Sequence, residues 1–159
     1  MKFLIVDTYY PGFLKSFYKD NKTDNLGYRE HKDLLLKQFF GTSDFYSYNL
    51  EKIGQEAEDL IINDQKLQLK WAKENGVKVK AGGIWSKIQM LPYIHRFIGR
   101  PDWMQKISLE QIKKIKPDVV YMQDLSALNP DTLKEVKKIC KILIGQIACP
   151  LPSQENLKQ

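Results

Sequence analysis

Apolar positions along the chain fall into two rhythms, short unbroken runs and stripes spaced three or four residues apart. Lys2 to Asp7 (KFLIVD) is an unbroken run. Such a run suits a strand buried on both faces of a parallel sheet. Thr8 to Gly12 (TYYPG) breaks it, and the polar stretch Lys19 to Gly27 reads as loop. Tyr28 to Phe40 reads as helix, closed by Gly41. Thr42 or Ser43 then caps a helix running to about Ile53, on which Tyr46, Leu50 and Ile53 would form one buried stripe. After Gly54, Ala57 to Ile62 (AEDLII) reads as a second strand. Asp64 to Asn75 is a helix with Leu67 and Trp71 on one side and Gly76 past its end.

Gly82 to Arg100 suggests a helix bent at Pro92, and Pro101 opens a further short helical piece. Ser108 and Gln111 have the spacing of a capping box for a helix reaching Ile115. Asp118 to Met122 (DVVYM) is a strand. Asn129 is an N-cap with Pro130 at the first helical position, and Leu133, Val136 and Cys140 share one face of the helix that follows. Lys141 to Ala148 (KILIGQIA) is the last strand. Strands and helices alternate, so the expected fold is α/β: a Rossmann-like, doubly wound parallel sheet with helices on both faces and right-handed crossovers.

Ligands of such sheets bind at the carboxyl ends of the strands. That singles out Asp7, Thr8, Tyr9 and Tyr10 after the first strand, then Asn63, then Gln123 and Asp124, then Cys149 and Pro150.

The chain has 159 residues, enough for one domain, with 43% hydrophobic and 28% charged residues. The formal net charge of +6 would admit a nucleic acid or phosphorylated partner. Its lysines are spread over several helices, though, and no nucleic-acid motif accompanies them, so no nucleic acid is expected. Cys140 and Cys149 show neither metal nor redox spacing, which fits a reducing compartment. The N-terminal run is too short for a secretory signal, and no apolar stretch approaches the ~20 residues of a membrane span. Together these predict a cytoplasmic protein without a transmembrane segment.

Glycine-rich phosphate loops of the dinucleotide or P-loop kind are absent. His31 and His95 lie far apart in sequence and have no acidic or cysteine ligands at metal spacing, so no metal is expected. Asp7 and Asp124 remain as strand-end carboxylates that can take a proton from a hydroxyl or bind one, or simply cap the next turn. Tyr9 and Tyr10 either stack against a sugar ring or seal the top of the core. Ser43 and Asp44 start a helix, a natural anion site, although capping alone explains them and is the simpler reading.

Four stretches, VDTYYPGFL (6–14), GTSDFYSYNLEKIGQEAEDLIIND (41–64), KPDVVYMQDLSALNP (116–130) and LIGQIACPLP (143–152), make the chain resemble bacterial glycosyltransferases of the GT-B fold, of the group 1 or spore-protein-like kind. The resemblance implies two Rossmann-like domains facing across a cleft, with residues 1–159 forming the N-terminal, acceptor-side one and a donor-binding domain absent from this chain. It implies transfer of a sugar from a nucleotide-sugar co-substrate to an acceptor hydroxyl, with no further cofactor. Within it Asp124 takes the catalytic role, and Asp7, Tyr9, Tyr10, Ser43 and Gln123 bind substrate. The fragment alone is expected to be inactive. The insertion from about Thr8 to Thr42 would overhang the cleft, and a second copy of the chain is a candidate to cover the exposed cleft face. A stand-alone flavodoxin-like binding or regulatory module is the alternative, although Thr8 stands where a receiver domain has a second acidic residue.

Overall fold

The computed structural model describes residues 1–82 and 100–146. Four strands form one all-parallel sheet: β1 (Lys2–Asp7), β2 (Glu56–Ile61), β3 (Val119–Met122) and β4 (Ile142–Gly145), in the order β2-β1-β3-β4. Lys2 lies opposite Glu56 and Phe3 opposite Val119, so the first strand is central and paired on both edges. This is the Rossmann-like α/β arrangement the alternation predicts.

The helices are α1 (Pro11–Asp20), α2 (Tyr28–Leu36), α3 (Phe45–Lys52), α4 (Gln65–Glu74), α5 (Asp102–Ile115) and α6 (Pro130–Ile139). The step from β1 to β2 runs in the opposite direction to the steps from β2 to β3 and from β3 to β4. Right-handed crossovers therefore require helices on opposite sheet faces. α3 accordingly packs on β2 and β1 from one side, while α2, α4, α5 and α6 contact one another in series. Leu4, Val6, Leu60, Val120 and Met122 alternate onto the face carrying this second layer and form the main core with Leu67, Trp71, Met104, Ile107, Leu133 and Val136.

A chain of buried hydrogen bonds locks that layer to the sheet. Tyr28 Oη donates to Gln111 Oε1 at 3.0 Å, Gln111 donates to Gln68, and Gln68 Nε2 donates to the Ile61 carbonyl at 2.8 Å. Three helices are thus tied to β2 by groups that would each be costly to bury unpaired.

Several expectations need correction. Pro11 does not end structure. It occupies the first helical position of α1, where its missing N–H costs nothing, so the expected insertion is largely helical and Lys19 and Asp20 belong to α1 rather than to the loop. α2 stops at Leu36, short of Phe40. Ser108 caps nothing: it is fully buried inside α5, which runs unbroken from Asp102. On α3 the buried residue is Ser47, whereas Ile53 is 70% exposed, because the polar Asp59 of β2 stands beneath this helix. Asn129 holds the N-cap position of α6 without a side-chain capping bond. The helix expected around Pro92, together with His95, Cys149 and Pro150, lies outside the described residues.

Candidate functional site

The strand order reverses direction between β1 and β3, so the carboxyl ends of these two strands border the crevice where open α/β sheets hold ligands. Asp7 closes β1, and Gln123 and Asp124 follow β3. The backbone fastens this edge, with Gln123 N–H donating to the Val6 carbonyl at 2.9 Å and Ile62 N–H to the Asp7 carbonyl at 3.1 Å.

Asp7 and Asp124 have different surroundings. Asp7 accepts one bond, from the Thr8 N–H at 2.7 Å, through Oδ1. Its Oδ2 has no hydrogen-bond partner among the described residues. Burial pushes the Asp7 carboxyl up to about 6; the Thr8 bond works against that shift and the charge of Asp124 adds to it. Asp124, in contrast, is fully engaged. Its Oδ1 accepts from Ser126 N–H at 2.9 Å and Ser126 Oγ at 2.6 Å. Its Oδ2 accepts from Arg100 Nη2 at 3.0 Å, with Thr8 Oγ1 at 3.5 Å.

Arg100 was not foreseen from the sequence. Its side chain is 10% exposed, and Nε also reaches the Ser126 carbonyl at 3.4 Å. Burial pulls the guanidinium below its ordinary range, while the charge and hydrogen bond of Asp124 oppose the shift. Contact with Asp124 spans 24 positions, so no local pattern announces it. Thr42 was also missed as a site residue: its hydroxyl lies 3.0 Å from Gln123 Oε1 and 2.8 Å from Nε2, which links the loop before α3 to the end of β3.

The remaining candidates divide. Tyr9 is 2% exposed, packed edge-on against Phe13 and Phe40 with its backbone clamped by Asn63, so it seals the core and presents no ring face to a ligand. Tyr10 is 73% exposed and rests edge-on against Phe40. Ser43 is buried, and its hydroxyl donates at 2.5 Å to the Leu36 carbonyl, a structural bond that removes it as an anion ligand. Asp7, Gln123 and Asp124 therefore share the carboxyl edge, Tyr10 stands exposed beside Phe40, and Tyr9 and Ser43 support the scaffold.

Among the described residues, no three His, Cys, Asp or Glu side chains gather as a metal site, and no helix is long and apolar enough to cross a membrane. No protein-family model matches the chain, and no curated protein or solved structure matches it either.

Proposed function

We propose that this chain is the acceptor-side domain of a nucleotide-sugar-dependent glycosyltransferase, in which the carboxyl edge of β1 and β3 receives an acceptor hydroxyl. The observation carrying the reading is the Asp7 carboxyl: it stands at the switch point with Oδ2 unpartnered among the described residues, and burial raises it to about 6. A base poised near the working pH transfers protons most effectively.

In this reading Asp7 takes the proton of the acceptor hydroxyl as that oxygen bonds to the anomeric carbon of the donor sugar and the nucleoside diphosphate leaves. Asp124, held by Ser126 and Arg100, orients the acceptor and fixes the charge beside Asp7. Gln123 and Tyr10 flank the entrance. The donor comes from a second domain, as the resemblance to GT-B enzymes implies, and the domain works on the cytoplasmic side.

The test measures nucleoside diphosphate release by the complete open reading frame with a panel of nucleotide-sugars and a mixed glycan acceptor. Release that falls at least about a hundredfold in Asp7→Asn supports the reading. No release from any donor, or release unchanged in Asp7→Asn, overturns it.

A further inference from the structure

Next to the switch point, the segment between α2 and α3 forms an open cup of about 630 Å³, lined by Phe39, Gly41, Thr42, Asp44, Phe45 and Tyr48. Its three rings are Phe39, Phe45 and Tyr48, which are 78%, 62% and 53% exposed. Single exposed apolar residues are ordinary on a protein surface, but three aromatic rings lining one depression are not.

The backbone is bent to present them. Phe39 and Ser43 have φ of 52° and 45°, a left-handed conformation costly for residues with a side chain, and Gly41 lies between them at 60°. Ser43 fixes the bend twice: its hydroxyl donates to the Leu36 carbonyl and its N–H to the Phe40 carbonyl at 3.1 Å. Lys52 Nζ stands 4.2 Å over the Tyr48 ring and steadies it.

Asp44 adds a polar group. It precedes α3, where an aspartate normally accepts a backbone N–H of the first turn, yet it makes no capping bond. Its carboxylate has no hydrogen-bond partner among the described residues. Rings and a free acceptor therefore share one cup. An aliphatic tail would desolvate that carboxylate without pairing it, and a phosphorylated ligand would meet its charge. A neutral sugar ring satisfies both parts, laying its C–H face on the aromatic rings and donating hydroxyl protons to Asp44. Through the Thr42–Gln123 bond the cup is continuous with the edge that holds Asp7 and Asp124.

We propose that this cup is a sugar-binding subsite, which makes the acceptor a glycan whose neighbouring residue stacks on Phe45 and Tyr48 while the reacting hydroxyl lies at Asp7. The proposal rests on the acceptor-side reading above, but its test contains no donor and reads no transfer, so the two fail separately.

Saturation-transfer NMR on the chain with cellotriose, chitotriose and mannotriose is expected to show transfer from aromatic protons to the ring protons of at least one sugar. Phe45→Ala and Tyr48→Ala should weaken that binding roughly tenfold, equivalent to about 1.4 kcal/mol. Both side chains are mostly solvent-exposed, and circular dichroism of each variant verifies that it is folded. Asp44→Asn should weaken binding as well, by removing the charged acceptor. Absence of transfer to all three sugars overturns the proposal. So does binding undiminished in Phe45→Ala and Tyr48→Ala, or preferential occupation of the cup by octanol or by uridine diphosphate.

Discussion

Tyr18 Oη lies 2.5 Å and 2.6 Å from the two carboxylate oxygens of Asp64, which joins α1 to the N-cap of α4. The phenol gives its single proton to that carboxylate, so it meets His31 Nε2, 3.0 Å away, only as an acceptor. Nε2 of His31 therefore carries a proton, and burial, which lowers the imidazole to about 4, keeps the ring neutral above that pH. Its buried Nδ1 has no hydrogen-bond partner among the described residues.

Tyr18→Phe should remove both bonds at once and leave the Asp64 carboxylate and the imidazole N–H short of partners. The expected loss is about 1.5–3 kcal/mol, the range for a hydrogen bond to a charged group. Urea unfolding of the variant measures it, and a loss near zero would mean that water replaces the phenol.

The titrating groups act on stability in opposite directions. Burial lowers His31 from its ordinary 6.5 to about 4, with Lys70 and Lys66 adding to the shift. Between those values the unfolded chain takes up a proton that the folded chain refuses, so stability falls as pH drops from about 6.5 toward 4. Asp7 and Asp59 are raised by burial from 3.8 to about 6. There the folded chain holds the extra protons, so their cost is fully present above pH 6 and is relieved as pH falls toward 4. Asp59→Asn should therefore stabilise the protein above pH 6, with the gain shrinking toward pH 4. Thermal unfolding across pH 4 to 7.5 tests this; a gain that grows on acidification would reverse the sign.

Arg100→Gln should destabilise by about 1.5–3 kcal/mol, because it leaves the Asp124 carboxylate without its cation. It should also push the Asp7 carboxyl higher, since the uncompensated charge of Asp124 raises it. Carboxyl-detected NMR titration reads that shift directly. In Arg100→Gln with Asp124→Asn the loss should be smaller than the sum of the single changes, which a double-mutant cycle resolves.

Gly145, at the end of β4, faces Leu125, and a Cβ added there would collide with the Leu125 isobutyl group. Gly145→Ala should cost about 1–3 kcal/mol through overpacking. Leu125 adjoins Asp124, so the displaced loop should also change the amide shifts of Asp124 and Ser126. Unaltered shifts there would show that Leu125 turns away freely.

Some of this molecule was legible from residue order alone. β1 was readable to the residue because an uninterrupted apolar run, Phe3 to Val6, is bounded by the charged Lys2 and Asp7. The start of α6 was readable because Asn129-Pro130 admits few other conformations. α1 was hidden by Pro11-Gly12, a pair that marks a turn as readily as a first helical turn. The buried side of α3 was hidden because Asp59, a charged residue within a strand, draws Ser47 inward while Ile53 faces solvent. At the candidate site, Asp7 and Asp124 were singled out by their place at strand ends. Their contrasting surroundings were not, because Arg100 and Thr42 reach the edge from distant parts of the chain.

The centrality of β1 bears on how the chain is made. β1 leaves the ribosome before both strands that flank it, β2 and β3, which begin at Glu56 and Val119. Until β3 has been translated, KFLIVD lacks a partner along one of its edges. Such long-range parallel pairing folds slowly and leaves sticky intermediates exposed. Chaperones that shield nascent apolar segments should therefore raise the share of this protein that reaches its native form.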